Sequence, residues 1–238
     1  MFSTFITNIE WIKIADYPGL IARCNFSVAN YSNDFFSIAN IHFPSHLTNA
    51  VTKRRAEYLA GRYLAHQVLK KLGYSNFTLL RGKDRAPLWP LGVSGSISHS
   101  KDTALCTANH TSAMSGIGID IEAQMPAKHA FELQDNIISE MEYVLLHQQQ
   151  QQQQTFEQLL TLVFSAKESL FKALYPQVRR YFDFLDARII EFDTHKQVFK
   201  LELLKTLTPN FHVGRRFNGH YLINDKDITT LIHFEDNW

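Results

Sequence analysis

The sequence is poor in the residues and patterns that mark several large classes of protein. It has two cysteines in 238 residues, and neither belongs to a Cys-x-x-Cys motif or a Cys/His cluster, so we expect no zinc site. Cys24 and Cys106 are predicted to be buried free thiols. Basic and acidic residues nearly cancel, 24 against 23, which leaves a formal net charge of +1. The chain as a whole therefore has no electrostatic attraction to nucleic acid or to an anionic membrane.

Long apolar runs are missing as well. No stretch approaches the roughly 20 apolar residues that a membrane span requires. Residues 1–7 have neither the basic start nor the apolar run of a signal peptide. We therefore expect a cytoplasmic protein without a membrane span. The chain does contain enough apolar residues for a hydrophobic core: 45% of its residues are hydrophobic, and it has 18 phenylalanines and nine tyrosines.

The most informative segment is Gly118-Ile119-Asp120-Ile121-Glu122, which predicts a short strand. Because successive side chains on a strand point to opposite faces, Asp120 and Glu122 share one face and the isoleucines share the other. Two carboxylates this close repel each other, and a bound cation removes the repulsion. An isolated Asp-x-Glu is more often an exposed sheet face, so the case for a cation depends on a second motif downstream.

That second motif is residues 164–172, within a predicted helix over residues 155–174. It contributes a third carboxylate, Glu168, and two lysines. Glu168 and Lys172 are four residues apart, and the simplest alternative for them is a surface ion pair. Lys167 falls within the apolar stripe of the helix, where its ammonium must reach solvent or meet an anion, for which we predict a phosphate. Three oxygen ligands beside lysines are typical of a magnesium site that also holds phosphate.

Basic residues cluster on another predicted helix, over residues 48–72. Residues 53–55 are Lys-Arg-Arg, and Arg62 follows about two turns after them. Taken alone, such a run is most often a solvated helix surface. Arg85, in the loop before Pro87, could extend the same basic patch toward a phosphorylated ligand.

Ser98 and His99 follow a glycine-serine turn and precede a predicted strand. Ser98 lacks the Gly-x-Ser-x-Gly elbow of a hydrolase nucleophile, so acyl chemistry is not expected. A structural role is the ordinary alternative for a lone histidine and a nearby serine. At a strand start, however, an imidazole and hydroxyl groups are suitable hydrogen-bond donors to a phosphate.

The order of predicted elements repeats about a midpoint near Gly116. Each half has one long helix and about three strands, which predicts an α+β protein of two similar halves. Residues 117–121 are predicted to pair with residues 103–108 as a hairpin or meander. The glutamine run 148–154 is predicted to be a solvated helix extension or a loop. The other predicted elements are a helix over 133–146 and strands over 35–39, 40–43, 77–81, 187–192, 198–204, 211–217 and 229–234.

In its motifs the chain resembles the 4′-phosphopantetheinyl transferase family over most of its length. The motifs are Trp-Pro to Gly-Ser-Ile-Ser-His-Ser over residues 89–100, Gly-Ile-Gly-Ile-Asp-Ile-Glu over 116–122, and Phe-Ser-Ala-Lys-Glu-Ser over 164–169. The resemblance implies two similar α+β halves in a pseudo-two-fold arrangement, each with a long helix packed on an antiparallel sheet. Residues 1–116 would bind the phosphates of coenzyme A, residues 117–238 would hold magnesium and dock the carrier, and the ligands would occupy the cleft between the halves.

The resemblance also implies a role for each candidate residue. Asp120, Glu122 and Glu168 would bind the metal, and Glu168, directly or through a water, would take the proton from the attacking serine. Lys172 would contact the diphosphate of coenzyme A, and Lys167 would lie beside the reacting phosphate. Five residues would hold the phosphates of the coenzyme: Arg54, Arg62, Arg85, Ser98 and His99.

The reaction implied is transfer of 4′-phosphopantetheine from coenzyme A to a serine of an apo acyl, peptidyl or aryl carrier protein, releasing adenosine 3′,5′-bisphosphate. The carrier would dock by an apolar contact within residues 124–146, and a siderophore synthetase carrier is favoured over a fatty-acid carrier by segments 53–62, 135–138 and 184–186. The enzyme is expected to be a monomer with no nucleic-acid partner. Two alternatives stay open: another magnesium-dependent phosphotransferase or phosphohydrolase, and a non-catalytic protein that binds coenzyme A or a carrier.

Overall fold

The structure, a computed structural model, describes residues 1–110, 116–150 and 154–235. The chain forms two compact units, Met1–Ser115 and Gly116–Trp238. Each unit contains a long helix packed on an antiparallel sheet, so the predicted α+β class is confirmed. No helix in the described ranges is both long enough and apolar enough to cross a membrane.

The first unit is a four-stranded sheet covered by one long helix. In chain order its elements are α1 (Phe2–Phe5), β1 (Ile6–Ile12), β2 (Leu20–Phe26), α2 (Phe35–Ile38), α3 (Thr52–Lys71), β3 (Val93–Ser100) and β4 (Thr103–His110). The antiparallel sheet has the order β1-β2-β4-β3, and α3 packs on β2 and β4. Side chains such as Leu59 and Leu64 fill the layer between helix and sheet. Cys24 and Cys106 lie in that layer as buried free thiols, as predicted.

The second unit repeats this plan with a larger sheet. Its elements are β5 (Gly116–Ala123), α4 (Ala127–Ile137), α5 (Glu140–Gln149), α6 (Phe156–Val178), β6 (Ala187–Asp193), β7 (Val198–Leu203), β8 (Arg216–Ile223) and β9 (Asp227–Phe234). The antiparallel sheet has the order β5-β9-β8-β7-β6, and α6 packs on β5 and β9. Its core joins helix residues such as Leu170 to sheet residues such as Ile232.

Local sequence explains where α6 begins and ends. A capping box starts it: the Thr155 hydroxyl accepts from the backbone N–H of Gln158, and the Gln158 side chain accepts from the backbone N–H of Thr155. The helix ends at Arg179, whose left-handed conformation (φ 56°) turns the chain away from the helical path. Between these ends, Leu160 and Leu170 belong to a continuous buried face.

Gly118 allows β5 and α6 to approach closely. A Cβ atom at this position would lie 1.8 Å from the carbonyl oxygen of Ser169 and 2.7 Å from the amide nitrogen of Ala173. Both are backbone atoms, which cannot rotate away as a side chain can. The contact therefore requires glycine, and it presses the strand that carries Asp120 and Glu122 against the helix.

The predicted hairpin between residues 103–108 and 117–121 is wrong. β5 instead pairs with β9, in the sheet of the second unit. The physical reason is that β4 is already hydrogen-bonded to β2 on one side and to β3 on the other, so both of its edges are taken. Nearness in sequence favoured the hairpin, but the occupancy of strand edges excludes it.

Two predicted strands in the first unit are also wrong. Residues 35–43 contain the short helix α2, in which the backbone N–H of Ile38 donates to the carbonyl oxygen of Asp34 and that of Ala39 to Phe35. Residues 77–81 contribute a single β-bridge, from Arg81 to Pro87. The strands of this part of the unit are β1 and β2, which lie earlier in the chain.

In the second unit the predicted helix over 133–146 is two helices, because Ser139 forms a new capping box with Glu142 and starts α5. The predicted strand over 211–217 is displaced, since β8 begins at Arg216. In the glutamine run, residues 148 and 149 do extend α5, and residues 151–153 lie outside the described part of the chain.

We expect Gly118→Ala to lower the free energy of unfolding by about 3 kcal/mol, at the upper end for overpacked sites, because the new methyl group meets backbone atoms. Gly61→Ala is a matched control: its Cβ would meet only the Cγ2 atom of Ile97, at 2.8 Å, and alanine favours the helix. Urea denaturation of the two variants measures the difference. Equal stabilities would contradict the close approach of β5 to α6.

Candidate active site

The centre of the candidate site in the second unit is a contact between Asp120 on β5 and Lys172 on α6. The Lys172 ammonium donates to Oδ1 of Asp120 at 2.6 Å and to the carbonyl oxygen of Ile119 at 3.3 Å. The Asp120 side chain is 3% exposed and that of Lys172 is 25% exposed. The lysine therefore reaches from a partly solvated position to a buried carboxylate.

Glu122 and Glu168 belong to the same electrostatic cluster. Burial, and after it the nearby Asp120, raise the pKa of Glu122 to about 7, while Lys172 acts to lower it. Burial likewise raises the pKa of Glu168, against the lowering effect of Lys172. The four side chains thus share one partly buried region in which three carboxylates compete for one ammonium.

The donor set of this cluster fits a hard cation. Carboxylate oxygens are the ligands that Mg²⁺ prefers, and the raised pKa values of Glu122 and Glu168 express the burial and repulsion that a divalent cation would offset. The side chains do not form a ready-made cage, since no group of three or more His, Cys, Asp or Glu residues in the described ranges is arranged to hold a metal ion. In this structure Lys172 supplies the positive charge beside Asp120.

Lys167 does not lie where we expected it. Its side chain is 2% exposed, and the ammonium bonds to both carboxylate oxygens of Glu142 and to the carbonyl oxygen of Ile137. We predicted that Lys167 meets an anion because it lies in the apolar stripe of the helix. In this structure that anion is the Glu142 carboxylate and not a phosphate. The ammonium belongs to a buried ion pair, which argues against the predicted contact with the reacting phosphate. The sequence held one signal for Glu142, the Ser139-x-x-Glu142 capping motif.

In the first unit the structure brings together two predicted residues, Arg54 on α3 and His99 on β3. Nη1 of Arg54 lies 3.0 Å from Nε2 of His99. Because a guanidinium only donates hydrogen bonds, this contact is a hydrogen bond when Nε2 of His99 accepts. Glu57, which our sequence reasoning missed, lies 3.5 Å from Arg54 and 3.8 Å from His99. Its spacing of three from Arg54 on a helix was the available signal.

Arg62 lies further along α3 in a pocket of its own. The residue is 8% exposed, its guanidinium stacks over the ring of Tyr58 at 4.8 Å, and its Nε atom is buried without a hydrogen-bond partner. It lines a cavity of about 20 Å³ together with Tyr58 and His66. A buried donor with no acceptor is costly, and an anion entering this cavity would satisfy it.

His46, whose ring packs edge-on against Tyr58, lies among basic residues. Burial lowers the pKa of His46, and Arg81, Arg54 and Arg62 each lower it further. Three guanidinium groups therefore act on one imidazole, which is the electrostatic signature expected where a polyanion binds.

Of the other two predicted phosphate contacts, Arg85 lies in the predicted loop, whereas Ser98 was expected to precede a strand and instead lies within β3. Arg85 has a left-handed backbone (φ 73°) in a turn where its N–H donates to the carbonyl oxygen of Gly82 at 3.0 Å. Six other non-glycine residues in the described part of the chain also have a positive φ, so this conformation alone does not mark a function. Ser98 is buried on β3, next to His99.

Comparison with known proteins shows which family this sequence resembles. The family described as "4'-phosphopantetheinyl transferase N-terminal domain" matches residues 43–109, and the "4'-phosphopantetheinyl transferase superfamily" matches residues 116–224. The chain is 36% identical to enterobactin synthase component D of Escherichia coli K12 over 185 residues, which are 78% of this chain and 80% of that protein. It is 31% identical over 192 residues to 4'-phosphopantetheinyl transferase Svp of Streptomyces mobaraensis, covering 79% of this chain and 75% of that protein.

The chain belongs to the 4′-phosphopantetheinyl transferase superfamily, so it is a transferase that uses coenzyme A and acts on apo carrier proteins. The family predicted from the motifs is confirmed. Within the superfamily, the 36% identity to enterobactin synthase component D over 78% of the chain agrees with the siderophore type that the sequence motifs favoured.

We expect Lys172→Met to lower the free energy of unfolding of the ligand-free protein by about 1–3 kcal/mol, because it leaves the buried Asp120 carboxylate without its ammonium. Lys200→Met is the matched control. Its partner Glu191 is 58% exposed and water replaces the lysine, so the loss should be at most about 0.5 kcal/mol. Urea denaturation of both variants tests this, and equal losses would mean that the contact of Lys172 with Asp120 is as solvated as the surface pair.

Proposed function

We propose that this transferase is a magnesium-dependent, monomeric, cytoplasmic enzyme of the siderophore type. It would transfer 4′-phosphopantetheine from coenzyme A to a serine of an apo carrier in a non-ribosomal peptide synthetase. The likeness to enterobactin synthase component D supports the pathway. The observation that carries the site assignment is the contact of the Lys172 ammonium with Asp120, together with the electrostatic influence of Lys172 on Glu122 and Glu168.

The proposed chemistry is one displacement at phosphorus. The carrier serine oxygen bonds to the β-phosphorus of coenzyme A, the bond from that phosphorus to the adenosine 3′,5′-bisphosphate breaks, and the serine proton goes to Glu168. Glu168 belongs to the same electrostatic cluster as Asp120 and Lys172, and we assign it the role of proton acceptor on that basis. Lys172 would stabilise the negative charge that grows on the leaving diphosphate oxygen. Magnesium held by Asp120, Glu122 and Glu168 would supply further positive charge against the phosphate oxygens.

The phosphates of coenzyme A would bind to basic residues of the first unit. We assign the 3′-phosphate to the pocket of Arg62, because its buried Nε atom lacks an acceptor there. Arg54 and His99 are already in contact with each other and would bind a phosphate together. Ser98 and Arg85 complete the proposed set. Lys167 is left out, because its hydrogen bonds go to Glu142 and to Ile137.

Exposed apolar side chains on α4 and α5 would dock the carrier. Phe131 is 76% exposed and Met141 is 61% exposed, although both are large and apolar. Ile137 and Ile138, from the same candidate segment, are buried in the core and are excluded as contacts. We call Phe131 and Met141 the docking residues.

Incubation of the protein with coenzyme A, magnesium and a panel of apo carriers, followed by mass spectrometry, tests the proposal. The carrier should gain the mass of phosphopantetheine on its serine, fastest with a siderophore synthetase carrier, and chelation of the metal should stop the reaction until magnesium is restored. Cleavage of a phosphate ester without carrier modification would favour a phosphohydrolase. Binding of coenzyme A with no change in any carrier would favour the non-catalytic alternative.

We expect Arg62→Ala to raise the KM for coenzyme A by about tenfold or more and to leave the KM for the carrier unchanged, because it removes a charged contact remote from the reacting phosphorus. With dephospho-coenzyme A, which lacks the 3′-phosphate, parent and variant should have similar KM values. Lys70→Ala removes the same charge from the exposed end of α3 and serves as the control. If Arg62→Ala raises the KM equally for coenzyme A and for dephospho-coenzyme A, Arg62 does not bind the 3′-phosphate.

We expect Phe131→Asp to raise the KM for the carrier by about tenfold or more and to leave the KM for coenzyme A within twofold, because a charge replaces an apolar contact at the proposed interface. Leu91→Asp makes the same change at a fully exposed leucine of the first unit and should be neutral. Steady-state kinetics with the carrier as varied substrate measures both variants. If the two behave alike, Phe131 does not touch the carrier.

A further inference from the structure

Lys167 and Glu142 form the most buried ion pair in the described part of the chain. The Lys167 ammonium lies 2.8 Å from Oε1 and 3.0 Å from Oε2 of Glu142, and it donates to the carbonyl oxygen of Ile137 at 2.7 Å. The two side chains are 2% and 1% exposed. Residue 167 adjoins Glu168, the proposed base, yet its ammonium is directed to the protein interior.

The Glu142 carboxylate is a junction of four elements. Its Oε2 atom accepts from the backbone N–H of Ser139 at 2.8 Å and from the Ser139 hydroxyl at 3.0 Å, at the start of α5. Its Oε1 atom accepts from the backbone N–H of Ile189 on β6 at 2.8 Å. Lys167 adds α6 directly, and through Ile137 it adds the last residue of α4.

Stability alone does not require such a pair. Taking two charges out of water is costly, and well-packed apolar side chains of similar volume often serve a fold equally well or better. What an apolar pair lacks is directionality, since hydrogen bonds at fixed angles hold two helices at one rotation and one translation. The pair therefore supplies an orientation that packing alone leaves less defined.

We propose that the Glu142–Lys167 pair is a positioning device for the transfer reaction, a proposal that rests on the function proposed above. It holds α4 and α5, which carry the docking residues, in one orientation on α6, which carries Glu168 and Lys172. A carrier bound to α4 and α5 would then present its serine at a constant distance from Glu168. Lys167 is accordingly a positioning residue that does not touch the coenzyme.

A double-mutant cycle separates positioning from simple stabilisation. Lys167→Met and Glu142→Gln each leave one buried charge without its partner and should lower the urea midpoint. The double variant removes both charges at similar volume, and the glutamine can still accept from the Ser139 or Ile189 amide, so most of the midpoint should return. If the pair positions the helices, kcat should be at least about tenfold below the parent value in the double variant, with the KM for coenzyme A within twofold. Recovery of kcat together with the midpoint would overturn the proposal.

Ser139→Ala is the matched control in the same place. It removes one hydrogen bond to Glu142 and the hydroxyl that caps α5, but it keeps the ion pair. We expect its urea midpoint to fall while its kcat stays within twofold of the parent value. A loss of kcat in Ser139→Ala as large as in the double variant would mean that any weakening of this junction lowers activity, which would also overturn the proposal.

Hydrogen exchange gives a readout that does not depend on transfer. The double variant should exchange the backbone amides of α4 and α5 at least tenfold faster than the parent, while the amides of α3 in the first unit are unchanged. If the parent modifies no carrier, the proposed function fails, and this measurement still decides the role of the pair. Unchanged exchange in α4 and α5 of the double variant would overturn the positioning role in either case.

Discussion

The close approach of β5 to α6 at Gly118 is the constraint on which the second unit depends. Small residues on the facing side of α6 make it possible: Ser165, Ser169 and Ala173 replace the bulkier side chains found elsewhere on the helix. The hydroxyls of Ser165 and Ser169 bond to Thr230 on β9, so the polar atoms of this tight layer are satisfied. With the backbones this near, a carboxylate two residues beyond Gly118 meets a lysine side chain from the next turn of the helix.

The two units share one type of contact between the long helix and the sheet, but the groups in contact differ chemically. In each, a cation from the long helix meets a polar residue on a strand that the helix covers: Arg54 meets His99 in the first unit, and Lys172 meets Asp120 in the second. The first contact joins two groups that can donate to phosphate, whereas the second joins an ammonium to a carboxylate. The basic site is suited to binding the phosphates of a polyphosphate substrate. The acidic site is suited to holding a cation for the transfer of one phosphoryl-containing group.

Features encoded by local pattern were predictable, and features set by distant contacts were not. The two long helices and the β5 carboxylate strand followed from periodicity, and the second helix proved longer by one turn than its apolar stripe indicated. The partner of β5 could not be inferred, because it depends on which strand edges stay free after the other sheet is complete. The burial of Lys167 was inferred, but its anion was not, since Glu142 lies 25 residues away and is brought near only by the packing of α5 on α6.

The strand order of the second unit also sets the timing of its folding. β5 is the first strand of the unit and lies at the edge of the sheet, and it pairs with β9, the last strand in the described part of the chain. During synthesis from the N-terminus, Asp120 and Glu122 therefore emerge long before the strand that hydrogen-bonds theirs. The pairing has a high sequence separation, which slows its formation. A ribosome that stalls or a nonsense mutation that removes β9 would thus yield a chain whose first unit is complete while its acidic strand has no partner to pair with.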